Sequence, residues 1–518
     1  MSERWESVAP WLLAAAAFAL LAMTAGAPMP VGVFYDDGIY FDLARALSSG
    51  AGYHHLALPG APPGVHYPPL FPAWLALWNA LRPPAASLGV LAWLKEGNAL
   101  LTALSVVPWT RWGARRLGLP IWLAGAAALT AILLVPARAV TSTLFSEPLA
   151  WLLLGLTFDL ADHADDAPAP SFAMAIGVAL LAAFLPLVRT ILAPVMLAVA
   201  WRFATERGHP VAVRQRDATI AAFIFLPLVT WFAWTSRHAQ EVPAAWTASY
   251  GSYTLMWRES VSSAGDLAQL VAHQVAGLWR VAVQLWWKGG APIGIAFTLI
   301  GLALLRGARS VSFFSTLGYF AVLLVWPIPP DRFLWGLLPL LSALFFAGAY
   351  TLWRSLRGRD LAWLPLALVL ILVPAGSCAR LNERGYLADG WIAPQRAEAA
   401  NYAPVVRWVD SLPRDAIILT ANDPLVAQAT GHLAAPLLTP DLRETRGAPP
   451  AHTALERATA SACTAKAGWM VATDTLDEAG VSIAALRAAP NGPVVVDSVL
   501  HLEGARIAAR FHCGEGRR

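Results

Sequence analysis

Eleven stretches of this chain are apolar enough, and long or nearly long enough, to cross a bilayer, and they leave few folds open to it. They run at about 10–27, 88–109, 120–136, 147–161, 171–188, 190–204, 218–235, 290–306, 311–328, 333–353 and 361–377, against the ~20 residues that a spanning helix needs. Backbone groups inside a bilayer must be satisfied within their own segment, so the runs read as helices. Composition agrees: 57% of the 518 residues are hydrophobic and 14% are charged, where a soluble domain carries about 25% charged residues. Pro186, Pro194 and Pro227 are expected to kink three of these helices.

The basic residues orient the bundle. Arg111, Arg115 and Arg116 follow the second run, Arg202, Arg207, Arg214 and Arg216 the sixth, Arg306 and Arg309 the eighth, and Arg354, Arg357 and Arg359 the tenth. All four clusters share one side if the N-terminus is cytoplasmic. The other side then holds loop 28–87, the short loop 137–146, the long loop 236–289, the loop from Pro327 to Arg332 and the C-terminus. Counting 69–82 as a further span would break this parity. That segment is also too short, and it reads as a helix lying in the outer interface with Trp74 and Trp78 at headgroup level. The first run could pass for a signal peptide, with Ala25-Gly-Ala27 as its cleavage site. One Arg against two Glu makes a poor leading segment, so an uncleaved span is expected.

From residue 378 to 518 charged and turn residues return. Ala416–Thr420, Trp469–Thr473 and Pro493–Asp497 read as buried strands, with helical patterns at about 397–410, 424–430, 451–460 and 482–489, and Gly504 suggests a terminal hairpin. The expected architecture is a polytopic α-helical membrane domain, 1–377, followed by a small extracytoplasmic α/β domain, 378–518. Three cysteines (Cys378, Cys463 and Cys513) are too scattered for a disulfide framework or a CxxC metal site, though one pair is free to bridge in an oxidising compartment. Walker A, GxGxxG-after-strand and HExxH patterns are absent. The small net charge of +4 follows membrane topology, so neither nucleotide nor nucleic acid is an expected partner.

The residues that draw attention stand on the outer side. Asp36 and Asp37 directly follow the first span. Two adjacent carboxylates near a low-dielectric surface cannot both ionise cheaply, so one pKa should rise. The pair suits a general base, equally a divalent-cation site, with Glu147 as a third oxygen ligand. Asp37 also suits the N-cap of a short helix from Gly38 to Ser48. His66, in His66-Tyr-Pro-Pro69, is a candidate for pH sensing, phosphate or metal, or an exposed loop histidine. Ser146-Glu147-Pro148 reads either as a helix start or as an acid facing Asp36. Arg189 and Arg332 fall where a lipid phosphate would lie; a guanidinium fork matches phosphate oxygens, and snorkelling to headgroups is the alternative. In loop 236–289, Trp246, Tyr250, Tyr253, Trp257, Trp286, Trp287 and Lys288 suit a membrane belt or a sugar-stacking surface.

Taken in order, Tyr35-Asp-Asp-Gly-Ile-Tyr40, His66-Tyr-Pro-Pro-Leu-Phe-Pro72, Phe145-Ser-Glu-Pro-Leu149 and Asp331-Arg-Phe-Leu-Trp-Gly-Leu-Leu-Pro-Leu340 resemble the GT-C superfamily of integral-membrane glycosyltransferases, which includes protein O-mannosyltransferases and lipid A aminoarabinose transferases. The resemblance covers about residues 10–377. It implies a multi-pass protein of the cytoplasmic (inner) membrane that moves a sugar from a polyprenyl-phosphate-linked donor, with inversion, on the outer face. It implies Asp36 as base on the acceptor, with Asp37 and Glu147 as further acids and His66 and Tyr67 lining the donor phosphate. The lysine that some members place after Tyr-Pro is replaced by Pro69, so Arg189, Arg332 or Lys288 would have to hold that phosphate. A lipid-linked sugar transporter and a non-catalytic assembly protein of the same fold are the alternatives.

Overall fold

The computed structural model describes residues 3–25, 30–83, 89–163, 171–205, 211–306, 310–356, 393–444, 447, 450, 452–466, 468–473, 478–488, 493–504 and 506–513. The predicted span 361–377 and the expected domain boundary lie outside these residues. The other ten predicted spans fall on helices. Three helical stretches, Trp5–Ala22, Val90–Arg116 and Val211–Glu241, are long and apolar enough to cross a membrane by length and composition, and shorter apolar helices accompany them.

Chain contacts gather the molecule into two compact units. One comprises Met1–Ala27, Ala92–Trp231 and Ala268–Trp391; the other comprises Pro28–Leu91, Phe232–Leu267 and Ile392–Arg518. In the helical unit, the C-terminal ends of four helices are tied together by their charges. Arg115 pairs with Asp159, Arg116 stands 3.7 Å from Asp162, Arg202 donates to the Ala161 carbonyl, and Arg116 donates to the Leu305 carbonyl at 3.4 Å. These are the helix ends that the basic-loop parity assigned to one side.

Two sequence expectations are corrected here. Residues 264–289 are not loop: Ala264–Leu304 is one helix of 41 residues. It starts firmly, because the Asp266 carboxylate accepts from the Ser262 and Ser263 N–H groups at 3.1 and 3.0 Å. Gly289, Gly290 and Pro292 do not stop it, and membrane helices tolerate such residues. Of the three prolines expected to kink helices, only Pro186 lies inside one, Phe172–Val188. Pro194 and Pro227 each occupy the second position of a helix, Ala193–Thr205 and Leu226–His238, where a missing N–H loses no internal bond.

Helix α1 (Glu3–Ala25) belongs to the first unit; in the second, Asp36–Ser48 forms α2 and Leu70–Ala80 forms α3, a helix where the sequence predicts one. In α3, Trp74 stacks on Trp78 with ring centres 5.4 Å apart, and Leu77 is exposed. The C-terminal segment builds a five-stranded sheet from β1 (Ile417–Thr420), β2 (Leu433–Pro436), β3 (Trp469–Ala472), β4 (Val494–His501) and β5 (Ile507–Cys513), in the order β2-β1-β3-β5-β4. The first three run parallel; the β4–β5 hairpin closes the edge antiparallel to β3. Tyr402, Val405 and Val409 from helix Ala393–Asp410 fill the core against Ile418, Leu425 and Val471. Cys463 and Cys513 form a disulfide. It closes a long loop, so Cys463→Ser is expected to lower the unit's stability by about 3 kcal/mol. Denaturant unfolding with and without reductant reads this: reductant should lower the midpoint in the wild type and leave the variant unmoved.

Candidate active site

The loop before α2 is held in an unusual shape. Tyr35 has φ 67°, in the left-handed region that a tyrosine rarely occupies. Asp37 holds it there: its carboxylate accepts from the Gly32 N–H at 3.1 Å and the Phe34 N–H at 3.0 Å. Asp37 is therefore not the expected N-cap. It lies in the first turn of α2 and reaches back to the loop, while Tyr35 takes the cap position. Burial pushes its carboxyl up to about 6, offset in part by those N–H groups. Gly32 and Gly38 lie against helix Asp423–Thr430; a Cβ on Gly32 would come within 2.5 Å of Leu425 backbone.

Asp36 is half-buried and accepts a hydrogen bond from the Tyr67 hydroxyl at 2.7 Å. Tyr67 is fixed in turn. Its backbone carbonyl accepts from the Tyr53 hydroxyl at 2.8 Å, and Tyr40 packs edge-on to its ring at 5.0 Å. Tyr67→Phe is expected to lower turnover about tenfold with Tm unchanged, because the carboxylate loses the donor that orients it. A purely structural role would lower Tm together with the rate.

His66 is buried between Tyr67 and Tyr253, at 4.6 and 4.4 Å between ring centres, and its Nδ1–H donates to the Gly251 carbonyl at 2.7 Å. Burial lowers its pKa, so the ring sits neutral. The exposed loop histidine considered from sequence is thus excluded, and this ring is no standing cation for a phosphate.

In the helical unit, Glu147 begins helix Glu147–His163 and is fully buried. It pairs with Arg189, and Arg332 Nε stands 3.4 Å from the same carboxylate. Arg189 also donates to Ser146 Oγ at 3.3 Å, and the Arg332 guanidinium lies 3.9 Å over the Phe145 ring. Two guanidinium groups thus meet at one carboxylate, and a guanidinium fork matches the oxygens of a phosphate. Beyond Arg332, Leu334 and Leu338 help to line an apolar cavity of about 530 Å³ with Val275, Leu299, Phe320 and Leu341.

Asp36, Asp37, His66 and Tyr67 thus belong to one unit, and Glu147, Arg189 and Arg332 to the other. Lys288 lies in the helix Ala264–Leu304, with its side chain outside the described atoms. Among the described residues, no group of three or more His, Cys, Asp or Glu is arranged to hold a metal ion.

Sequence reasoning missed a second buried polar group in the unit that holds Asp36. Tyr250 donates to Asp423, and His55 lies edge-on to Tyr250 at 5.0 Å and 4.0 Å from Asp42. Nothing in the local sequence joins positions so far apart. Burial pushes Asp423 up to about 7 and Asp42 up to about 6, and holds His55 down at about 3. For each acid the folded pKa lies above the unfolded value of about 3.9. Their contribution to stability is therefore full below that value and is lost as pH rises through 6 to 7. Asp423→Asn should shrink the fall in Tm between pH 5.5 and pH 8, read by thermal melts at the two pH values.

No family model and no curated protein matches the chain. Solved structures do. ArnT from Cupriavidus metallidurans bound to undecaprenyl phosphate superposes with a TM-score of 0.54 at 13% identity, covering 97% of this chain and 98% of that one. The same protein in its apo state gives 0.52 at 14% identity, covering 96% and 97%. The Archaeoglobus fulgidus oligosaccharyltransferase in complex with Zn and sulfate gives 0.50 at 14% identity, covering 89% and 67%. Likeness at this level is one of fold: the chain shares the fold of ArnT over nearly its whole length.

Proposed function

We propose that the chain transfers a sugar from a polyprenyl-phosphate-linked donor to a hydroxyl or amine of a lipid, glycan or protein acceptor, on the outer face of the cytoplasmic membrane, with inversion. The observation that carries this is Asp36: a half-buried carboxylate oriented by Tyr67, on a loop held by Asp37. As base, Asp36 takes the proton of the acceptor group. The acceptor atom attacks the anomeric carbon, and the bond from that carbon to the phosphate oxygen breaks. Polyprenyl phosphate leaves with the electron pair. One base suffices for a single displacement, and the leaving group departs as a phosphate without nucleotide chemistry.

Three further observations support the reading. The Arg189–Glu147–Arg332 cluster offers cationic forks to a phosphate. The apolar cavity beside Leu334 suits a lipid tail. A structure of the same fold was solved with undecaprenyl phosphate bound. The Cys463–Cys513 bridge favours an oxidising, extracytoplasmic setting for its unit. The test is donor consumption by the purified protein in lipid vesicles, with the anomeric configuration of the product read by NMR. A retained configuration, or vesicle crossing of the donor without transfer, would overturn the proposal.

A further inference from the structure

Two arms of contact reach Asp36, and both start at Asp423. This residue opens helix Asp423–Thr430 and is 1% exposed. The first arm carries the loop on which Asp36 stands. Pro424 and Leu425, the next residues of that helix, lie against Gly32 and Gly38; a Cβ on Gly38 would come within 2.6 Å of the Pro424 side chain. Asp37 ties Gly32 to the first turn of α2. With no room between helix and loop, a shift of the helix moves the loop as well.

The second arm carries the group that orients Asp36. The Asp423 carboxylate accepts from the Tyr250 hydroxyl. Tyr250 ends the short helix Thr247–Tyr250, and the carbonyl of the next residue, Gly251, accepts from His66 Nδ1–H at 2.7 Å. The His66 ring packs on Tyr67 at 4.6 Å, and the Tyr67 hydroxyl donates to Asp36 at 2.7 Å. The arms also meet midway, where the Tyr35 and Tyr250 rings lie 6.3 Å apart. Asp423 and Tyr250 are both buried, so neither has water as a second partner, and removal of one leaves the other unsatisfied.

We infer that Asp423 is a positioning residue for the base: it places Asp36 through helix Asp423–Thr430 and places Tyr67 through Tyr250. The sheet-bearing segment thereby becomes part of the frame of the active site. The effect on rate rests on the proposed transfer reaction; the effect on position does not.

The test uses the full chain in nanodiscs. Hydrogen–deuterium exchange follows peptides over residues 30–40 and 64–70, and donor turnover is measured beside it. Asp423→Ala and Tyr250→Phe are each expected to speed exchange in both peptides about fivefold and to leave the membrane helices unchanged. Each should also lower kcat about tenfold with the KM for donor unchanged, as a misplaced base does. Asp423→Asn keeps an oxygen to accept from Tyr250 and should bring both readouts back to within about threefold of wild type. Tyr250→Phe keeps the ring and removes only the donor, so it decides the inference if Asp423→Ala does not fold. Unchanged exchange in the two peptides, exchange raised evenly over the whole unit, or a loss as large in Asp423→Asn would each overturn the inference. If the wild type turns over no donor, the proposed function falls, and the exchange readout alone supports or overturns the positioning.

Discussion

Asp36→Asn is expected to cut glycosyl transfer about a thousandfold while the protein stays folded and still binds polyprenyl phosphate. The size follows from the ~10²–10⁴ that a general base contributes. The amide keeps the shape of the carboxylate and an oxygen to accept from Tyr67, so structural loss is not the cause. Donor turnover in vesicles, beside a thermal melt, reads both arms. Turnover within tenfold of wild type would end the base assignment. Loss in Asp37→Asn with Asp36→Asn active would move the role one residue along. Asp37 has another job, since both its oxygens hold loop N–H groups; its variant should melt earlier and slow turnover only through a looser loop.

Glu147→Ala is expected to destabilise the helical unit by about 3–5 kcal/mol, because it removes one partner of a buried ion pair. Arg189 is 9% exposed and Arg332 27%, and removal of the carboxylate takes away the acid that both approach. Added polyprenyl phosphate should then raise the Tm of the variant by more than it raises that of the wild type, by supplying the missing anion. Equal shifts in both proteins would show that the lipid phosphate binds elsewhere.

Much of this arrangement was legible in the sequence, and its limits have physical reasons. Parity of basic loops put Glu147, Arg189 and Arg332 on one side, and the structure joins them in one cluster. Strands β1 and β4 were visible through their β-branched runs, Ile417-Ile418 and Val494-Val-Val496, and β3 through its apolar run Trp469-Met-Val-Ala472, although β4, expected to be buried, buries only Val494. Strand β2, Leu433-Ala-Ala-Pro436, carries no β-branched residue and is short, so it was missed. The helix through 264–289 was hidden by its aromatic and basic residues, which read as a surface loop although the apolar period continues. The Tyr250–Asp423–His55–Asp42 group was out of reach because burial, not spacing, brings it together.

Gly32 and Gly38 sit against Pro424 and Leu425 with no room for a side chain. That contact has a consequence in time. The loop carrying Asp36 is made early in translation, and the helix it rests on emerges about 390 residues later. At about 5–20 residues per second the loop waits tens of seconds for its support. A nascent chain stalled before residue 423 should therefore hold its membrane helices while Asp36 has no fixed position, so the membrane domain exists before the acid it serves is set.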